Sequence, residues 1–318
     1  MRRRDFLSCC GAGVVCLGGA RADGATKTGS KPLRGIFPIA QSPFTEANKL
    51  DVDALVAELR FIDRGRVHGL VWPQLASEWW TLSEPERLAG AEALLEEGKR
   101  LRPAVVIGVQ APSVQTAVKY ARHAERLGAD AIISLPPDKE TDSKVILEYY
   151  KDVGRATALP LFLQAVGKMD VDLVVEIGKA VPTLRYVKDE AGQPLLRFAE
   201  LREKSGGQLN IFTGGAGRTL LDEMRRGFSG SMPAAPLADI YASAWDLWHA
   251  GRHAEAMAAF GKAAILLEEE GAYGVEADKY MLCLRGVFTT YRTRGGKSRL
   301  DESGKETLKE LVKLATTA

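Results

Sequence analysis

The chain is poor in the residues that build covalent or metal-held frameworks. Of 318 residues only four are cysteine and four histidine. Cys9, Cys10 and Cys16 crowd into the beginning, leaving Cys283 alone in the remainder. Without that beginning, no internal disulfide and no cysteine metal site can form. His68, His123, His249 and His253 show no ligand spacing, so no metal and no other cofactor is expected. An excess of one charge is lacking too: 43 Lys+Arg stand against 41 Asp+Glu, with no basic stripe. That excludes the electrostatic footprint of a nucleic-acid binder. The apolar run that ends near Gly19 is too short for a stable membrane anchor. No low-complexity stretch or long linker divides the chain.

What is present at the start is Arg3-Arg-Asp-Phe-Leu7, a twin-arginine pattern, then Gly, Ala, Val, Cys and Leu, then the small-residue site Ala20-Arg-Ala22. This order predicts a signal peptide over residues 1–22 and export of the folded chain to a bacterial periplasm. Residues 23–32, rich in Gly, Thr, Lys and Ser, are then a flexible lead. Cleavage after Ala22 removes Arg2, Arg3, Arg4, Arg21 and Asp5, leaving 39 basic against 40 acidic residues.

From Leu33 the sequence alternates between strand and helix patterns. Strands are predicted at Gly35 to Ala40, Val67 to Trp72, Ala104 to Val109, Ala131 to Leu135, Pro160 to Val166, Leu184 to Lys188, Asn210 to Thr213 and Gly230 to Pro233. Between them the apolar spacing is helical, as in Ser113 to Leu127, where Val114, Ala117, Val118, Ala121, Ala124 and Leu127 recur at three- and four-residue steps before a stop at Gly128. Such alternation over residues 33–237 reads as an α/β fold, a (β/α)8 barrel. Residues 238–318 carry no strand signal. They read as a helical extension packed on the barrel, with helices over Ala238 to His249, His253 to Glu269, Ala277 to Tyr291 and Glu306 to Ala315. Trp245 and Trp248 are its core or docking residues, and Glu268-Glu-Glu270 a solvated face.

Lys188 ends the sixth strand, on the face where barrels gather reactive groups. An amine attacks a ketone only when unprotonated, and a low-dielectric pocket favours the neutral form. Polar residues cluster at the other strand ends: Gln41 and Ser42 after strand one, Gln74 and Ser77 after strand two, Gln110 after strand three and Thr213 after strand seven. Amides and hydroxyls donate and accept at once, which suits sugar or polyol hydroxyls. Strand alternation puts Glu190 on the side of Lys188 and Asp189 opposite. Trp72, Trp79 and Trp80 are packing or platform residues near the rim.

Gly35-Ile-Phe-Pro-Ile-Ala-Gln-Ser-Pro-Phe44, Glu78-Trp-Trp-Thr-Leu-Ser83 with Glu86-Arg87, Ala104-Val-Val-Ile-Gly108, Leu159-Pro160, Val187-Lys188-Asp-Glu-Ala and Gly227-Phe-Ser-Gly230 occur in that order. Glu276-Ala-Asp-Lys279 and Gly286 follow. Together they resemble the dihydrodipicolinate synthase and N-acetylneuraminate lyase family. The resemblance implies a barrel with a helical tail, a homo-oligomer (dimer or tetramer) and a lysine Schiff base with pyruvate or another 2-oxo acid. The departures are equally specific. The family's Gly-Thr-Thr-Gly-Glu turn, which grips the substrate carboxylate, reads Gln74-Leu-Ala-Ser-Glu78. Its strand-five tyrosine falls on Gln164, its tyrosine after strand four on Asp138, and its carboxylate-binding arginine on Met169 beside Lys168.

The lysine is therefore kept and its proton relay replaced. Gln164 can hold a substrate oxygen or a water but cannot titrate. Asp138 can, and so can Asp189 and Glu190. The expected catalytic set is Lys188, Asp138 and Gln164, with Gln41, Ser42, Gln74, Ser77, Glu78, Gln110, Glu190 and Thr213 contacting a small-molecule substrate. The expected activity is an exported aldolase or lyase on a 2-oxo acid or sugar acid. A dehydratase using the same lysine and a noncatalytic solute-binding barrel are the alternatives.

Overall fold

The structure, a computed structural model, describes residues 31–296 and 299–317. The twin-arginine leader and residues 23–30 of the lead lie outside the described residues. Lys31, at the end of the lead, is pinned: its amine donates to the carbonyls of Gly98 at 2.6 Å and Pro103 at 2.8 Å.

Eight parallel strands form one sheet: β1 (Gly35–Ile36), β2 (Gly69–Trp72), β3 (Ala104–Gly108), β4 (Ala131–Ser134), β5 (Leu161–Ala165), β6 (Leu184–Asp189), β7 (Asn210–Thr213) and β8 (Gly230–Ser231). Their order is β1-β8-β7-β6-β5-β4-β3-β2. Ile39 closes the ring by bridging Val71 of β2 and Ala234 beyond β8. The fold is the expected (β/α)8 barrel. Six strands are shorter than their sequence patterns, β2, β3, β4 and β5 by one or two residues, β1 stopping before Ala40 and β8 before Pro233, while β6 runs one residue further, to Asp189. Pro38 and Pro233 carry no N–H, so a regular ladder cannot continue through them. Phe37, Val71, Val106, Ile133, Phe162 and Phe212 fill the interior below the reactive face, with Phe162 stacked on Tyr186 at 4.4 Å. Both faces of the sheet are covered, which explains why its strands read as nearly continuous apolar runs.

Helices α1 (Val52–Arg64), α2 (Glu84–Gly98), α3 (Val114–Leu127), α4 (Ser143–Arg155), α5 (Val171–Ala180), α6 (Pro194–Lys204) and α7 (Leu220–Arg226) return the chain between strands. Asp51, Ser83, Ser113, Asp142 and Asp170 cap the first five by accepting backbone amides. Each such cap contributes about 1 kcal/mol.

The tail differs from its sequence pattern in three places. The helix expected over His253 to Glu269 is two helices, α9 (His253–Ala264) and α10 (Leu267–Tyr273), following α8 (Ala238–His249). Leu266 and Leu267 are buried at the break. Helix α11 (Val275–Leu284) stops well before Tyr291, because Gly286 takes a left-handed φ of 68°. Helix α12 (Glu302–Thr316) starts earlier than Glu306, where Asp301 accepts from the Gly304 amide. Trp245, Phe260, Leu282 and Leu308 share one buried cluster with Leu59 and Phe44 of the barrel. Of the expected solvated face, Glu268 is exposed while Glu269 and Glu270 are half-buried, and burial, partly offset by Arg218, pushes Glu270 up to about 7.

Candidate active site

Alternation along β6 settles which side chains face inward. Tyr186 and Lys188 point into the barrel and Glu190, just past the strand, continues that face, while Val187 and Asp189 point toward the helices. Lys188 is 4% exposed. Its Nζ lies 3.0 Å from Glu190 Oε2. Gln164, the register partner of Lys188 on β5, donates its amide to the same oxygen. The Gly215 amide donates to Glu190 Oε1 at 3.1 Å. This cluster requires a glycine at 214: a Cβ there would lie 1.8 Å from Glu190 Oε1 and 2.7 Å from Lys188 Cε. Gly214 and Gly215 were not foreseen as site residues. Their signal was the glycine-rich run Gly214-Gly-Ala-Gly217 at the end of β7.

Burial would raise the Glu190 carboxyl, but the Lys188 ammonium and the Gly215 and Gln164 amides outweigh it and hold it below its usual range. Glu190 therefore faces the amine as a carboxylate. Asp189, turned the other way, accepts from Arg197 Nε at 3.0 Å and from the Ala191 amide at 3.3 Å. It fastens β6 to α6 and does not face the amine.

Of the other expected contact residues, three prove to be scaffolding. Ser42 donates to the Ser77 carbonyl at 2.6 Å and accepts from Trp72 Nε1 at 3.0 Å. Ser77 donates to the Ala40 carbonyl at 2.5 Å and accepts from the Gln74 amide at 3.0 Å. Glu78 is buried with left-handed φ of 54°. Its carboxylate accepts from Lys279 Nζ and from the amides of Arg294 at 2.7 Å and Gly295 at 2.5 Å. A buried carboxylate must be paired, and here the partner comes from the tail. Glu78 thus ties the turn after β2 to α11. Thr213 meets Ser231 at 3.1 Å.

The glutamines behave differently. Gln74 Nε2 donates to Gln110 Oε1 at 2.9 Å, and Gln110 Nε2 to the Pro73 carbonyl at 2.8 Å. Gln74 Oε1, Gln164 Oε1 and both side-chain polar atoms of Gln41 are buried with no hydrogen-bond partner among the described residues. Buried amide atoms left unpaired cost about 1–3 kcal/mol each. The strand ends therefore present acceptors, and one donor group, to whatever lies between them. Behind Gln41, its backbone amide donates to Glu58 at 3.0 Å, a fully buried carboxyl pushed well up by desolvation.

Two cavities open on this face. One of about 440 Å³ is walled by Trp79, Gln110, Asp138, Lys168 and Met169. Asp138 is exposed on its lip. The second, of about 670 Å³, is walled by Glu190, Thr213, Gly214 and Arg218. The structure thus separates the two candidate carboxylates, Asp138 into one cavity and Glu190 into the other. Tyr149 and Tyr150 clasp Ser134 at the end of β4 at 2.7 and 2.9 Å. Burial pushes the Tyr149 hydroxyl up to about 12, so it is no ready acid at neutral pH.

Fold and site together define a (β/α)8 barrel with a buried amine paired to a carboxylate at its reactive face. The chain belongs to the Dihydrodipicolinate synthetase family, whose sequence profile matches residues 32–315. It is 32% identical over 181 residues to 4-hydroxy-tetrahydrodipicolinate synthase of Rhizobium meliloti (strain 1021), covering 55% of this chain and 60% of that one. It is 24% identical over 279 residues to L-2-keto-3-deoxyarabonate dehydratase of Azospirillum brasilense, covering 85% of this chain and 90% of the relative. The solved structure of YagE from Escherichia coli K12, a prophage protein of the same family in complex with pyruvate, superposes with a TM-score of 0.82 at 20% identity. That match covers 90% of this chain and 99% of the other. At family level the chain stands among lyases and aldolases.

Proposed function

We propose that the chain is a lyase that forms a Schiff base through Lys188 with a polyhydroxylated 2-oxo acid. The observation that carries the reading is the buried Lys188 amine at the end of β6, held 3.0 Å from a carboxylate able to take its proton. An iminium formed there withdraws electrons from the adjacent carbons, so a C–C or C–O bond one carbon further out can break. The unpaired amide atoms of Gln41, Gln74 and Gln164 suit hydroxyl groups along such a substrate. The turn after β2 favours a substrate other than that of a dihydrodipicolinate synthase. Leu75 and Ala76 offer no hydroxyl, and the amides of Ser77 and Glu78 are spent on Gln74 and Leu75 carbonyls at 3.0 and 2.9 Å. Dehydration is the second reading, favoured by the long match to the Azospirillum dehydratase.

Incubation with a panel of sugar-derived 2-oxo acids and borohydride, followed by peptide mass analysis, tests the reading. The expected outcome is a reduced adduct on Lys188. Tight calorimetric binding of the same acids with no adduct would instead identify a solute-binding barrel.

We also propose export by the twin-arginine route, on the strength of Arg3-Arg4 and the small-residue site at Ala20-Arg-Ala22. Replacing both arginines by lysine is expected to leave uncleaved protein in the cytoplasm. A mature periplasmic N-terminus in that variant would end the proposal.

A further inference from the structure

We propose that Glu190 is the proton carrier for imine formation at Lys188, taking the place of the tyrosines that this chain lacks. The inference rests on the Schiff-base reading of Lys188 and adds the group that makes it work. Among the described residues, Glu190 is the one carboxylate within ion-pair distance of the Lys188 amine. Its orientation is fixed from two sides, by the Gly215 amide on Oε1 and the Gln164 side chain on Oε2. The alternatives are otherwise engaged or out of contact. Asp189 is turned outward onto Arg197, Gln164 cannot titrate, and Asp138 is exposed on the lip of the other cavity. Gly214 leaves room for the pair, since any Cβ there would strike both members.

The proton sequence balances on this one group. Glu190 takes a proton from the Lys188 ammonium, and the freed nitrogen pair attacks the substrate carbonyl carbon as the carbonyl π pair moves to oxygen. Glu190 returns its proton to that oxygen and takes another from nitrogen, leaving a neutral carbinolamine. It then protonates the carbinolamine hydroxyl. The C–O bond breaks, water leaves, and the nitrogen pair closes the iminium, with Glu190 again a carboxylate. The transfers to and from nitrogen run over the 3.0 Å between Oε2 and Nζ, which favours a single carrier.

The test uses pyruvate and borohydride with the full chain and measures the rate of adduct formation at Lys188. Glu190→Gln is expected to slow that rate by about two to four orders of magnitude, the size of an acid-base contribution, with pyruvate affinity little changed. Glu190→Asp, which keeps the charge but retracts it, falls between. Formate is expected to restore part of the rate in Glu190→Ala and none in Lys188→Arg. A hundredfold loss in Asp138→Asn with a normal rate in Glu190→Gln would overturn the proposal in favour of Asp138. Failure of the unmodified chain to label with pyruvate, while another 2-oxo acid labels it, moves the same comparison to that acid. Failure with every acid overturns the Schiff-base reading itself, a result distinct from a slow Glu190 variant.

Discussion

Lys188→Arg is expected to lower turnover by roughly four orders of magnitude or more, the loss seen when a covalent nucleophile is removed. Arginine keeps the positive charge and can still pair with Glu190, so the fold and the electrostatics of the mouth survive. What it cannot do is lose its proton within the working pH range. The chemistry is thereby separated from the charge. Steady-state turnover on the acid that labels Lys188, with thermal unfolding as the control, checks the result. Turnover within tenfold of the unmodified chain would remove Lys188 from the mechanism.

Lys279→Met is expected to destabilise the protein by about 3–5 kcal/mol, because it strands a buried carboxylate. Lys279 is fully buried on α11. It donates to Glu78 and to the Arg292 carbonyl at 2.9 Å, and its amine sits 4.3 Å above the Phe44 ring. Desolvation pulls the ammonium below its usual range and Glu78 draws it back. Glu78 also orders the backbone amides of Arg294 and Gly295, so removing its cation loosens the tail as well as the turn after β2. The midpoint of urea unfolding measures the effect. The double variant Glu78→Gln with Lys279→Met should recover part of the loss, since no charge is then left unpaired. A single-variant cost under about 1 kcal/mol would show that the pair is not a clasp.

The two residues differ in how far local sequence exposes their roles. Lys188 ends a short apolar run in a βα repeat, and the repeat alone puts it on the reactive face. Period two along β6 also places Glu190 beside it and Asp189 behind, which the geometry bears out. Glu78 lies in a segment equally rich in polar groups, yet its partner is 201 residues away. No spacing rule reaches that far. Ser42 and Ser77 look in the sequence like any hydroxyls near a pocket, and their hydrogen bonds to carbonyls of neighbouring loops make them scaffolding.

The glutamines show the opposite case. By sequence Gln41, Gln74 and Gln164 are neutral residues at strand ends, indistinguishable from the spent serines. Their unpaired buried atoms mark them out. The carboxylates Asp138 and Glu190 were both legible as titratable groups near the mouth, but their division between two cavities was not.

By themselves, the apolar periods of this chain determined the eight strands, the intervening helices, the helical tail and the face on which Lys188 lies. Those properties follow from local geometry, because side-chain direction repeats every two or 3.6 residues. Only the tertiary structure decided which polar groups are consumed by the fold and which remain free for a substrate. The physical reason is that pairing and desolvation depend on neighbours in space: Glu190 meets an amide from the turn after β7 and an amine from β6, and Glu78 meets an amine from the tail.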